Sequence, residues 1–382
     1  MLAALAGCKG FFMPQGNGPP PSAGGNNLYV ANSNNYIAGF GVSATGALTV
    51  LSNSPYNNGI SAISLAVTPK NSYLYASTSN GIYEYAINSD GSLTVQNSGT
   101  PVAQDVIATA MQVDSTGGYL LAAGLGSATG AQSIGIYQIG STGALTPLGG
   151  SPLLLYQGAS ASTPSSVLPT AMLITPNNTL VYVSLAGLGV QVLTLGAGGG
   201  LSTGNSPTIL PPSSKSSGPA DYGLASDPNS KFLFVGELNT GLRVLSIGTT
   251  GALSEISGSP YAAGTGPKGV MVDPTGAYVY VLNYGGNNIS GFSLNAASGQ
   301  LTAISGSPFS SGGLAPVAMV SDSSKKYLAV VNSGSNGSNG NNDLQLFSYS
   351  TTTPGALVAG STATTGSDPT NPQAVAATHP TT

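Results

Sequence analysis

Charge is scarce in this chain. Its 382 residues include 8 Lys+Arg and 12 Asp+Glu, 5% of the sequence, where about a quarter is usual for a globular protein. Histidine and cysteine occur once each, as His379 and Cys8, and tryptophan is absent. A single cysteine excludes a disulfide within the chain. One His and one Cys exclude a metal centre built from those ligands, and a Ser-His-Asp triad would have to draw on His379. Basic residues never cluster beyond the pair Lys325-Lys326, so no stripe neutralises phosphates and a nucleic-acid partner is excluded. No run of about 20 apolar residues occurs either, so no helix is expected to span a membrane. Nothing in the composition calls for a cofactor.

Glycine and proline are abundant instead, 55 and 26 residues, while hydrophobic content is ordinary at 41%. The chain therefore has enough apolar surface to fold. With so few charges, its wet surface must be built from Ser, Thr, Asn and Gly. These residues favour turns and strand edges over helices, which points to an all-β protein.

The first eight residues read Met1-Leu-Ala-Ala-Leu-Ala-Gly-Cys8. Leu5-Ala6-Gly7-Cys8 resembles a bacterial lipobox, in which small residues precede a Cys that is lipidated and becomes the new N-terminus. No basic segment precedes it and the apolar run is short, which reads as a clipped signal or a start placed too late. Residues 1–8 are thus expected to be a signal remnant, 9–26 a Gly/Pro-rich tether and 27–382 the folded domain. A lipid on Cys8 would be the only membrane contact. It implies the bacterial cell envelope, on the periplasmic side of the outer membrane or the cell surface.

The rest of the chain repeats. A Gly followed within two residues by Leu recurs at Gly46, Gly91, Gly143, Gly200, Gly251, Gly299 and Gly355, in steps of 45, 52, 57, 51, 48 and 56 residues. A period near 50 with only β signals is propeller spacing. Upstream of each copy lies an apolar run such as Leu28-Tyr-Val-Ala-Asn32 or Val279-Tyr-Val-Leu-Asn283, often after a tight turn such as Asp273-Pro-Thr-Gly276. Between the two markers sits a period-2 segment such as Ile289–Leu294. Each unit reads as strands A to D with A innermost, in unit six Gly269–Asp273, Tyr278–Asn283, Ile289–Leu294 and Leu301–Ile304. A Ser-Pro follows the fourth strand, and its Pro is expected to end that strand. The chain enters at a B strand and leaves on a lone A strand, 373–378. The expected fold is a seven-bladed β-propeller of four-stranded antiparallel blades, closed by the C-terminal strand completing the first blade.

The Tyr-Val-x-Asn runs, Gly-x-Leu-Thr strands and Gly-Ser-Pro-Phe/Tyr ends resemble YVTN-type propellers. They are most similar to the seven-bladed lactonase family that includes 6-phosphogluconolactonase, over residues 27–380. The resemblance implies lactone hydrolysis and a site with His and Arg around one mouth of the channel. Its motifs are Pro-His-x-His in the middle blades, and Pro-Arg-His with a Glu after the following B strand. The matching stretches here are Pro169-Thr170-Ala171-Met172 and Pro267-Lys268-Gly269, with Tyr284 in the place of the Glu. Every expected His is absent, and Lys268 alone keeps a positive charge suited to holding an anion.

Aligning the repeats puts one ring of residues where A begins (Ile63, Thr109, Thr170, Tyr222, Lys268, Val317, Gln373). It puts a second where B ends (Asn32, Thr78, Gly124, Leu185, Glu237, Asn283, Asn332). Both rings are expected at the same mouth, beside insertions at 149–168, 204–219 and 332–342, and long loops on a rigid scaffold are where function gathers. The loop 332–342, near Asp343, offers oxygen ligands but lacks the carboxylates and spacing of a Ca²⁺ site; no metal is expected. The candidate ligand-binding residues are Asp221, Tyr222, Glu237, Lys268, Asn283 and Tyr284. If the site is catalytic, Glu237 is the base and Lys268 the anion clamp; a solvated Glu–Lys ion pair with no role is the alternative. His379 is expected on the opposite face. Two functions fit. The first is an envelope-anchored, monomeric scaffold that binds a protein or carbohydrate ligand through its loop-bearing face. The alternative is a lactonase acting on sugar lactones with degenerate motifs.

Overall fold

In the sixth repeat, strand B (Tyr278–Asn283) lies between strand A (Pro267–Val272) and strand C (Asn288–Leu294), with D (Leu301–Ala303) outside C. All neighbours are antiparallel, and Tyr280 faces Met271 on one side and Gly291 on the other. The same A-B-C-D order recurs in seven separate sheets. The computed structural model describes residues 25–57, 59, 61–155, 168–185, 188–202, 208–210, 221–334, 343–365 and 372–380; for 208–210 and 221–222 it describes the backbone alone. Most of the predicted insertions (156–167, 203–207, 211–220, 335–342) and Cys8 lie outside the described residues.

The ring closes as the leftover strand requires. Pro372–Ala377 pairs antiparallel with Asn27–Asn32, so the first blade takes its inner strand from the end of the chain. Apolar side chains of neighbouring blades fill the clefts between sheets: Val30 and Phe40 of blade 1 pack with Val331 and Leu346 of blade 7.

The two most visible repeat motifs meet across these clefts. In three blades the Tyr of the strand-B run donates its hydroxyl to the carbonyl of the Gly-x-Leu glycine in the next blade, whereas the buried Tyr182 hydroxyl of blade 4 has no such partner. The pairs are Tyr29 to Gly91, Tyr75 to Gly143 and Tyr280 to Gly355, at 2.6–2.7 Å. These tyrosines are fully buried, and burial raises their pKa far above the usual phenol value. A buried hydroxyl without such an acceptor would be costly, so each motif keeps the other.

Scarce acidic residues are spent on turns. In the A–B turn of blade 6, Asp273 accepts backbone N–H bonds from Thr275, Ala277 and Tyr278. Asp322 does the same for Ser324, Lys326 and Tyr327, and Asp227 for Asn229, Lys231 and Phe232. A buried carboxylate with several N–H donors is a strong local anchor.

One strand expectation is corrected. The Ser-Pro step interrupts the outer strand without ending it. Beyond it the chain returns to strand C at Tyr56–Asn57, Leu153–Leu154 and Phe309–Ser310. The serine explains how. Its hydroxyl accepts the strand-C N–H at the gap: Gly39 to Ser54, Ile136 to Ser151, Val244 to Ser259 and Gly291 to Ser307, at 2.8–3.0 Å. A side chain thus supplies the acceptor that the broken ladder loses.

Candidate functional site

Six of the seven A strands carry a β-bulge at the same position. The residue skipped by the ladder is Thr109, Thr170, Tyr222, Lys268, Val317 or Gln373. These are six of the seven residues expected in the first ring; Ile63 has no such bulge in its blade. A bulged residue is released from strict alternation and its side chain is re-aimed.

Lys268 stands at the bulge of blade 6. It is half-buried, and its Nζ lies 4.8 Å from the centre of the Tyr284 ring, within cation–π range. Tyr284 itself is 43% exposed. Two backbone bonds fix this arrangement. Tyr284 N–H donates to Gly266 at 2.8 Å and Gly286 N–H to Thr265 at 3.0 Å, tying the loop before strand A to the turn after strand B. Gly266 has φ of +70°, and a Cβ there would lie 3.1 Å from Gly285 N, so glycine suits the junction. Desolvation holds the Lys268 pKa below its ordinary value, as expected for a partly buried ammonium. Among the described residues no carboxylate forms an ion pair with it.

The second ring does not line the mouth. All seven of its residues are buried. Asn283 turns into its own blade, donating to Asn288 Oδ1 at 2.7 Å and Ser290 Oγ at 2.9 Å. Asn332 donates to the Ser311 carbonyl, and Thr365 donates to Asn32. The cause is alternation: these B residues stay in the regular ladder, and in blades 3 and 7 strand B runs on past Gly124 and Asn332 to Gly126 and Gly334.

Glu237 follows the same rule and does not meet Lys268. It is 1% exposed; Thr240 Oγ1 donates to its Oε2 at 2.5 Å, and Arg243 Nη1 lies 3.4 Å from its Oε1. Arg243 Nη2 also reaches Glu255 Oε2 at 3.0 Å. The pair expected at the mouth is thus replaced by a Glu237–Arg243–Glu255 chain between the sheets. Asp221 and Tyr222 occupy the start of strand A in blade 5, with Asp221 opposite Glu237 in register; their side chains lie outside the described residues. Of the six candidates, the structure brings together Lys268 and Tyr284.

Two charged residues escaped the sequence reading. Arg243 is the only arginine of the chain, a signal that was available. Glu84 interrupts the apolar strand Gly81–Ile87. It is 3% exposed, its Oε1 has no hydrogen-bond partner, and burial pushes its pKa up to about 7. It borders a cavity of about 340 Å³ between blades 2 and 3, with Asn97 and Thr142.

Comparison with known proteins gives a consistent outcome for the fold. The family model described as "Lactonase, 7-bladed beta-propeller" matches residues 27–339. No curated protein matches the chain by sequence. Among solved structures, the periplasmic gluconolactonase PpgL of Pseudomonas aeruginosa is 17% identical, with TM-score 0.70, covering 92% of this chain and 99% of that one. A Bacteroides fragilis protein provisionally named a 6-phosphogluconolactonase is also 17% identical, with TM-score 0.68 and coverage of 94% and 99%. The hydrazine synthase of Kuenenia stuttgartiensis is 13% identical, with TM-score 0.56 and coverage of 85% and 96%. At these identities the likeness is one of fold.

Proposed function

Because this chain belongs to the seven-bladed β-propeller lactonase family, we propose that it opens lactones of sugar acids at the channel mouth marked by Lys268 and Tyr284. The comparisons favour this reading over the binding scaffold, for which they offer no support. The observation that carries it is the half-buried ammonium of Lys268 on the Tyr284 ring, with no carboxylate paired to it among the described residues. Lactone opening begins with addition of water oxygen to the ring carbonyl, which places negative charge on the carbonyl oxygen. The added water gives up a proton to solvent water as the C–O bond to the ring oxygen breaks, and that oxygen takes a proton from solvent water and leaves as a hydroxyl. A desolvated ammonium stabilises the intermediate oxyanion more than it would in water. Glu237 takes no part, since it is enclosed and paired with Arg243. Sugar lactones also open spontaneously, so orientation and charge stabilisation alone would accelerate the reaction.

Proton release from glucono-δ-lactone at constant pH tests this. Wild-type protein is expected to exceed the buffer rate, Lys268→Met to lose at least about tenfold of the excess, and Lys268→Arg to keep part of it. Equality of wild type and buffer at high protein concentration would end the hydrolase reading.

The periplasmic location of one structural neighbour supports an envelope location for this protein, and Leu5–Cys8 supports a lipid on Cys8. Radiolabelled palmitate fed to a bacterial host carrying the complete gene should label the wild type and leave Cys8→Ser unlabelled. An unlabelled wild type would reject the anchor.

A further inference from the structure

At the other end of the channel the A strands enclose a cavity of about 460 Å³, within the range of small-molecule sites. Its walls come from successive blades, including Pro69, Val113, Ile174, Leu224 and Met271, and the side chain of His379 reaches it from the closing strand. No Asp, Glu, Lys or Arg is among its described lining residues. Gln112, which also borders it, commits its Oε1 to the backbone N–H of Ile174 at 2.8 Å. The other polar residues of the lining are Ser115, Thr175, Asn178 and Ser226; the Thr175 hydroxyl donates to the Leu180 carbonyl and the Asn178 amide to Asp114.

His379 is held in one orientation. Its backbone N–H donates to Asn71 Oδ1 at 2.7 Å, and its carbonyl accepts from Asn71 Nδ2 at 2.9 Å. Its ring Nε2 lies 3.1 Å from the carbonyl oxygen of Val67. A carbonyl only accepts, so Nε2 carries the proton, and in the neutral ring Nδ1 is left as an acceptor. Desolvation lowers the imidazole pKa against the opposing pull of the Val67 carbonyl, which favours the neutral ring. The residue as a whole is exposed to solvent while its ring Nε2 is held at the Val67 carbonyl, and among the described residues no group hydrogen-bonds to Nδ1.

We propose that this mouth is a second binding site, separate from the Lys268 mouth, for a small uncharged molecule whose apolar body fills the channel and whose hydroxyl donates to His379 Nδ1. A charged molecule would find no countercharge among the described lining residues, whereas an alcohol or phenol matches the mostly apolar walls and the acceptor on His379.

Because the chain has one histidine, histidine-selective ¹⁵N labelling yields a single imidazole in a long-range ¹H–¹⁵N spectrum. At pH 8 the full chain is expected to show the Nε2–H tautomer with Nδ1 unprotonated. Phenol is expected to move the Nδ1 resonance saturably. Leu173→Trp, which fills the channel, should abolish the phenol response while leaving the tautomer unchanged. His379→Leu should bind phenol about tenfold more weakly and toluene with undiminished affinity. An Nδ1–H tautomer, a linear response to phenol, or an undiminished response in Leu173→Trp would each overturn the proposal.

Discussion

Replacing Arg243 by Leu is expected to destabilise the protein by about 3–5 kcal/mol, because removing one partner strands a buried charge. Arg243 lies between Glu237, which is 1% exposed, and Glu255, at 3.4 and 3.0 Å. Without the guanidinium, the buried Glu237 carboxylate keeps the hydrogen bond from Thr240 but loses its ion pair with Arg243. Adding Glu237→Gln to Arg243→Leu removes the stranded charge and should restore a large part of the loss. Urea unfolding of the two single variants and the double variant measures the coupling. A single-variant loss below about 1 kcal/mol, or strict additivity, would show that the pair does not bear on stability. The lactone-opening activity provides a separate check. If Glu237 were the base, Glu237→Gln would abolish turnover; an enclosed structural carboxylate predicts that the folded double variant keeps it.

The second large effect concerns Glu84 and its sign depends on pH. Its carboxyl is pushed up to about 7 in the fold from an ordinary 4.5, because burial penalises the charged form. The folded state therefore holds a proton that the unfolded chain releases. Stability from this group is fully present below about pH 4.5 and is lost as pH rises towards 7, after which the loss is constant. At 1.36 kcal/mol per pKa unit, the gap corresponds to roughly 3 kcal/mol. Glu84→Gln, which stays neutral, should match the wild type near pH 4.5 and exceed it by up to about 3 kcal/mol at pH 8. Unfolding midpoints across this range give the comparison. A wild-type minus variant difference that does not change with pH would show that Glu84 ionises freely in the fold.

Neither effect requires a change in fold, because the blades are held by local rules repeated seven times. Those rules were legible. The Gly-x-Leu spacing gave the number of blades, the Tyr-Val run gave the second strand, and the unmatched run near 373 gave the closure seen between Pro372–Ala377 and Asn27–Asn32. The ring Thr109, Thr170, Tyr222, Lys268, Val317 and Gln373 was also readable from alignment. Alignment could not reveal why these positions stand apart, which is that each is the extra residue of a bulge.

The partners of the candidate site were much less legible. Lys268 and Glu237 belong to adjacent blades and begin or end comparable strands, so sequence alignment set them together. One bulge separates them in practice. Lys268 is released from the ladder, while Glu237 remains within it and points into the cleft between sheets. Similarly, Ser-Pro reads as a strand end, because proline offers no N–H. In space the preceding serine hydroxyl accepts the strand-C N–H and the chain pairs again.

The sequence by itself determined an all-β ring of seven blades and its closure. Those follow from composition and from patterns within one repeat, where each residue needs only its neighbours in the chain. Tertiary structure alone decided that Lys268 meets Tyr284, that Glu237 meets Arg243, and that His379 reaches the far mouth of the channel. Such pairings depend on which face of a strand a side chain takes and which blade covers it, and a one-residue bulge reverses that face without leaving a mark in the repeat.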